Sequence, residues 1–193
     1  MMGDGEALRV AVDLLHVPSR VRRVRAEPLP QGVPLLLRIA ADDPEALSEA
    51  TRIVDRSPDV VRAAAAFFIE QILLCPDADS YRLLGTSPQA TSSELRHNMA
   101  LLIKWLHPDS DRNAQQSTFI NRVTVAWDNL KTPERRAAYD QERRALEAKG
   151  PVRRDKHRRG GPQRPTSRLN RGIPRRDGLL RRTLLFLLGS RRP

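Results

Sequence analysis

The 193 residues allow one domain, or two small ones with some tail, and leave too little chain for a large enzyme core. Hydrophobic residues at 39% and aromatics at 4% fall below an ordinary globular average, so part of the chain is expected to lie outside any packed core. The net charge of +11 sits at one end: residues 150–193 hold 14 basic and 2 acidic side chains, leaving 20 against 21 in residues 1–149. The body is therefore near neutral, and the overall basicity does not mark the folded part as a nucleic-acid binder.

In chain order, the opening residues carry Asp4 and Glu6 and show no basic stretch before an apolar one, so they do not read as a secretory signal. Leu8 to Leu15 is apolar-rich and helical in character. Pro18, Pro28, Pro30 and Pro34 break the next stretch, and Leu35 to Ala41 suits a short helix. Two sharper helix starts follow. Asp43 before Pro44 and Ser57 before Pro58 each place a capping side chain beside a proline at the first helical position. From Asp59 to Leu74 the sequence predicts a long helix carrying Val60, Val61, Ala64, Phe67, Phe68, Ile72 and Leu73. It is apolar around most of its circumference and reads as a buried central element. The lone Cys75 excludes an intrachain disulfide, and without any CxxC there is no zinc module; a reducing, cytoplasmic compartment is expected.

Residues 76–149 carry the most specific pattern. Ser80 to Gly85 is a short apolar helical turn ended by glycine, and Ser87-Pro88 opens a loop. Thr91-Ser-Ser-Glu94 is a capping box, in which each side chain can bond the other residue's backbone amide. The helix it opens is expected to run to about Leu106 and to stop at His107-Pro108-Asp109. Proline has no amide hydrogen and disfavours helical geometry in the residue before it. A polar loop from Ser110 to Ser117 leads to a helix with Ile120, Val123, Ala126, Trp127 and Leu130 on one stripe, where Trp127 is expected to be buried. Thr132-Pro133-Glu134 then caps a charged helix. The product is a helical hairpin with flanking short helices.

This order of features resembles the J domain of the DnaJ-type co-chaperones. The matching residues are YRLLG at 81–85, the capped helix, HPD at 107–109, the A-W-x-x-L at 126–130 and TPERRAAYD at 132–140, about a third of the chain. An HPD tripeptide alone is weak, whereas five landmarks in order at compatible spacings are specific. The resemblance implies docking on a DnaK-type chaperone, whose ATP hydrolysis the J domain stimulates; the nucleotide chemistry belongs to the partner, and this chain needs no cofactor. His107, Pro108 and Asp109 are then the contact. Pro108 fixes the helix exit, and the Asp109 carboxylate can accept two bonds from a guanidinium. His107 can meet the partner or only cap its own helix. No metal site is expected, because His16, His97 and His157 show no ligand spacing with His107.

The sequence also departs from the family. Its members usually carry a cluster of Lys and Arg on the second helix, facing an acidic surface of the partner. Here Arg96, His97 and Lys104 remain as partner-binding candidates, while Ala100 and Leu101 stand at positions often basic, so steering is expected to be weaker. From Met99 to Leu106 (MALLIKWL) that helix is apolar on nearly every face, more than a two-helix hairpin can bury. Either residues 1–75 cover the second face, the simpler reading, or another protein does. No Gly/Phe-rich linker and no cysteine-rich region follow Asp140, which gives a minimal J protein without a named client.

The expected organisation is all-α: an N-terminal helical region (1–75), a J domain (76–149), a disordered Arg-rich linker (150–177) and a short basic amphipathic segment (178–193). That last segment sets Arg181 and Arg182 against Leu184, Leu185 and Phe186. Its run from Leu184 to Leu188 is far short of the roughly 20 residues that span a bilayer. It suits peripheral contact with an anionic membrane, at the inner membrane face, or docking on the protein's own core; nucleic acid is a weaker contender. The function expected is a non-enzymatic co-chaperone that recruits a DnaK-type ATPase to a site or client. A J-like scaffold that does not stimulate its partner and a tail-mediated nucleic-acid-associated protein are the alternatives.

Overall fold

Residues 4–106 and 114–148 are described by the computed structural model, and every regular element among them is helical. Helix α1 (Asp4–His16) buries Ala7, Leu8, Ala11 and Leu14, one stripe at helical spacing. The proline-broken stretch that follows is not wholly irregular: a 3-10 turn (Pro18–Arg20) leads into the short helix α2 (Val21–Ala26). Helix α3 (Val33–Ala40) follows, with Val33, Leu35, Leu36, Leu37 and Ile39 all buried. Such burial is possible only for an element surrounded by others, and α3 packs on α1, α4 and α5 and also on the later helix α7 (Ser92–Leu106).

The two proline-led helix starts behave differently. Asp43 caps α4 (Pro44–Val54), its carboxylate accepting from the amides of Glu45 and Ala46 at 3.0 and 3.1 Å. Arg38 donates to the same carboxylate at 2.8 Å. Ser57 has the extended backbone of an N-cap ahead of α5 (Pro58–Phe68), yet its side chain makes no capping bond. The similar sequences therefore conceal one working cap and one empty one.

The long central helix is also interrupted. α5 ends at Phe68 and continues as a π turn over Ile69–Leu73, closed by the Leu74 amide on the Ile69 carbonyl at 2.9 Å. Its central position is as expected: Val61, Ala64, Ala65, Phe68, Ile69, Ile72 and Leu73 are buried, while Val60 and Phe67 are half-buried. The carbonyls left at its end are taken up by arginines. Arg122 donates to the Leu74 and Cys75 oxygens at 2.7 and 2.6 Å, and Arg25 donates to Gln71 at 2.7 Å.

The remaining helices are α6 (Ser80–Leu83), α7, α8 (Ala114–Leu130) and α9 (Pro133–Ala148). α8 begins within the stretch expected as polar loop, three residues before Ser117. Val123, Ala126 and Leu130 are buried on it, but Trp127, expected to be buried, is only half-buried, packed against the edge of the core. One apolar core runs from Ala7 in α1 through α3, α5 and α7 to Leu130 at the end of α8.

Candidate functional site

The surface that the sequence singles out is borne on α7. Its start is the foreseen capping box: the Thr91 amide donates to Glu94 at 2.7 Å and the Glu94 amide to the Thr91 hydroxyl at 3.2 Å. The Thr91 amide, and the Thr91 hydroxyl donating to the same carboxylate at 2.8 Å, hold the Glu94 carboxyl below its usual range. Leu95, Asn98, Leu102 and Leu106 face inward. Met99, Leu101, Ile103 and Trp105 lie half-buried against the core, so the second apolar face of MALLIKWL is partly covered, with α3 the N-terminal helix packed on it.

The outward face is polar. Arg96, His97 and Lys104 are exposed, within a helical arc of about 100°. Exposed Ala100 stands inside that arc, so the cationic surface is thin where the family pattern would thicken it. His107, Pro108 and Asp109 follow the last residue of α7 directly in sequence and lie outside the described residues, as do Arg181, Arg182, Leu184, Leu185 and Phe186.

The short helix α6 and the last helix α9, on either side of the hairpin in sequence, are joined by contacts that the motif residues make. In α6, the Tyr81 hydroxyl donates to Asp140 of α9 at 2.9 Å and accepts from Arg136 at 3.0 Å. Burial, and the Asp140 carboxylate beside it, push the Tyr81 phenol up against the opposing pull of Arg136. Tyr139 accepts from the Ser80 amide at 2.9 Å, and its ring meets Tyr81 edge-on at 5.9 Å. The guanidinium carbons of Arg136 and Arg143 lie 5.4 and 5.6 Å from the centroid of the Tyr81 ring, and Arg143 pairs with Asp79 at 3.2 Å. YRLLG and TPERRAAYD are thus two halves of one contact, fastening α9 to α6.

Two residues of the scaffold escaped the sequence reading. Asn98 is 1% exposed and donates to the carbonyls of Leu84 and Gly85 at 3.0 and 3.3 Å, tying α7 to the end of α6. Its place three residues after Leu95, on the stripe that continues to Leu102, is the signal that it faces inward. Arg122 gives no comparable signal, since its partners are main-chain carbonyls about 47 residues away. Among the described residues, no group of three or more His, Cys, Asp or Glu could hold a metal ion, and no helix is long and apolar enough to cross a membrane.

The family model of the DnaJ domain matches residues 79–140. Chaperone protein DnaJ of Orientia tsutsugamushi (strain Boryong) is 38% identical over 68 residues, which cover 34% of this chain and 18% of that protein. Chaperone protein DnaJ of Ruegeria sp. (strain TM1040) is 38% identical over 64 residues, 33% of this chain and 17% of that one. That of Listeria monocytogenes serotype 4b (strain CLIP80459) is 33% identical over 63 residues, with 33% and 17% covered. The chain thus spans less than a fifth of the length of these relatives. No solved structure matches the chain at a comparable level. Since the matched segment spans α6, α7, α8 and the first half of α9, with the Tyr81 and Tyr139 contacts closing it, residues 79–140 of this chain are a DnaJ domain.

Proposed function

We propose that the protein is a co-chaperone whose J domain docks on a DnaK-type chaperone through His107, Pro108 and Asp109 and speeds its ATP hydrolysis. The observation that carries this reading is the DnaJ-domain match over 79–140, which includes the HPD tripeptide. The exposed arc of Arg96, His97 and Lys104 supports it, because these side chains are open to an acidic partner surface. In this reading the hydrolysed bond and the groups that break it belong to the partner, and this chain contributes contact and orientation.

The test is single-turnover ATP hydrolysis by a bacterial DnaK with increasing amounts of the full chain. Stimulation is expected, with a half-saturating concentration that rises with salt, since part of the attraction is between exposed charges. Asp109→Asn removes the charge that pairs with a guanidinium and is expected to abolish stimulation while the far-UV circular dichroism spectrum and Tm stay as in the wild type. Equal stimulation by wild type and variant would exclude the HPD contact. Binding without stimulation by the wild type would instead favour the scaffold alternative, for which exposed Ala100 in the cationic arc is the structural argument.

A further inference from the structure

The HPD tripeptide lies between α7 and α8, and the N-terminal helices reach both. On one side, α3 packs against α7. Gly85, at the end of α6, lies so close to α3 that a Cβ there would be 2.8 Å from the Val33 side chain, and Arg82 donates to the Glu27 carbonyl. On the other side, Arg122 sits on α8, eight residues after its start, with a nitrogen on each of two consecutive carbonyls, Leu74 and Cys75, where the central helix ends. A guanidinium can bridge two such acceptors with little freedom left, whereas an ammonium concentrates its bonds at one point. The contact is part-buried, joins a full charge to the negative end of a helix and is short on both arms.

We propose that Arg122 is a positioning residue. It fixes α8 against the end of the central helix, so that helices α1 to α5 act as a brace for the J domain and are not a separately hinged module. The two helices that flank residues 107–113 are each held by the N-terminal region, α7 through α3 and α8 through Arg122. Their mutual placement therefore depends on residues 1–75. This deepens the co-chaperone reading and rests on it for the activity readout only.

The experiment uses the full chain and three variants. Arg122→Leu removes both bonds, Arg122→Lys keeps the charge, and Leu8→Ala opens a cavity in α1, which packs on α3, α4 and α5. Trp105 and Trp127 both lie in the hairpin, so their fluorescence reports its unfolding while circular dichroism reports every helix. With a bacterial DnaK, Arg122→Leu, folded in the cold, is expected to raise the half-saturating concentration about fivefold, with Arg122→Lys intermediate and Leu8→Ala near wild type. In denaturant, Leu8→Ala is expected to lower the fluorescence and dichroism midpoints together. Wild-type half-saturation in folded Arg122→Leu would overturn the positioning role. A fluorescence midpoint unmoved by Leu8→Ala would overturn the brace. If Arg122→Leu does not fold, Arg122→Lys against Leu8→Ala decides the same question. If the wild-type chain fails to stimulate DnaK at all, the co-chaperone reading falls, and the coincidence of the two unfolding signals still decides the brace.

Discussion

Asn98 is the polar side chain on which the seating of α7 turns. Its amide spends two donors on the last carbonyls of the α6 turn, and at 1% exposure no water can replace them. Asn98→Leu is expected to destabilise the protein by about 1–3 kcal/mol, the penalty of leaving buried acceptors unpaired. Gly85 closes the same turn with φ at +63°, the left-handed region, so an alanine there is strained by about 1–2 kcal/mol before its Cβ meets Val33. Both costs should be visible as lower denaturation midpoints followed by Trp105 and Trp127 fluorescence. A midpoint unchanged by both substitutions would mean that α6 and α7 are not coupled in this way. Gly85 was legible as a helix end from SYRLLG alone. Its closeness to Val33 was not, because nothing local records a contact made 52 positions earlier in the chain.

At the scale of elements, helix starts show what a sequence specifies and what it leaves open. Thr91 and Glu94 close the capping box as written, because both partners lie within one turn and each needs only the other. Ser57, a cap candidate beside Pro58, is followed three residues later by Val60, which cannot reciprocate, and its hydroxyl caps nothing, so the side chain adds little to α5. Thr91→Ala is therefore expected to lower stability by about 1 kcal/mol, whereas Ser57→Ala should change it by less than about 0.5 kcal/mol. Thermal denaturation of the two variants checks the contrast, and equal losses would refute it. The hairpin from α6 to α9 was readable for the same reason as the box: its signals are caps, a breaker and apolar stripes, all local. The π turn at Ile69–Leu73 and the helix α2 among prolines were not, since each is settled by contacts with distant elements, α2 packing on that turn and Arg25 on Gln71. The covering of α7 by α3 was legible only as a surplus of apolar faces that something had to bury.

The whole molecule should show these assignments in its response to pH. Asp43 is held below its ordinary value of 3.8 by the Ala46 amide first and then by Arg38, and Asp128 by Lys131. Glu94 and Glu134 are held below 4.5 by bonds at their own helix starts. A carboxyl whose pKa is lower in the folded chain stabilises it fully above the unfolded value, and that stability is lost as pH falls through the folded value. The four together therefore predict a decline that begins as pH falls into the ordinary carboxylate range and continues below it, through their lowered folded values. Glu70, in the π turn, is pushed the other way: burial raises its pKa above 4.5. Its ionised form penalises the fold at neutral pH, and protonation between the raised value and 4.5 relieves that penalty. On acidification from pH 7, Tm is thus expected to rise slightly as Glu70 takes its proton, then to fall as these four carboxylates take theirs. Glu70→Gln should raise Tm at pH 7 and erase the rise, leaving the acid decline in place. A wild-type Tm that falls steadily from pH 7, or a Glu70→Gln variant no more stable than wild type at pH 7, would show that the Glu70 carboxylate is already compensated in the folded chain.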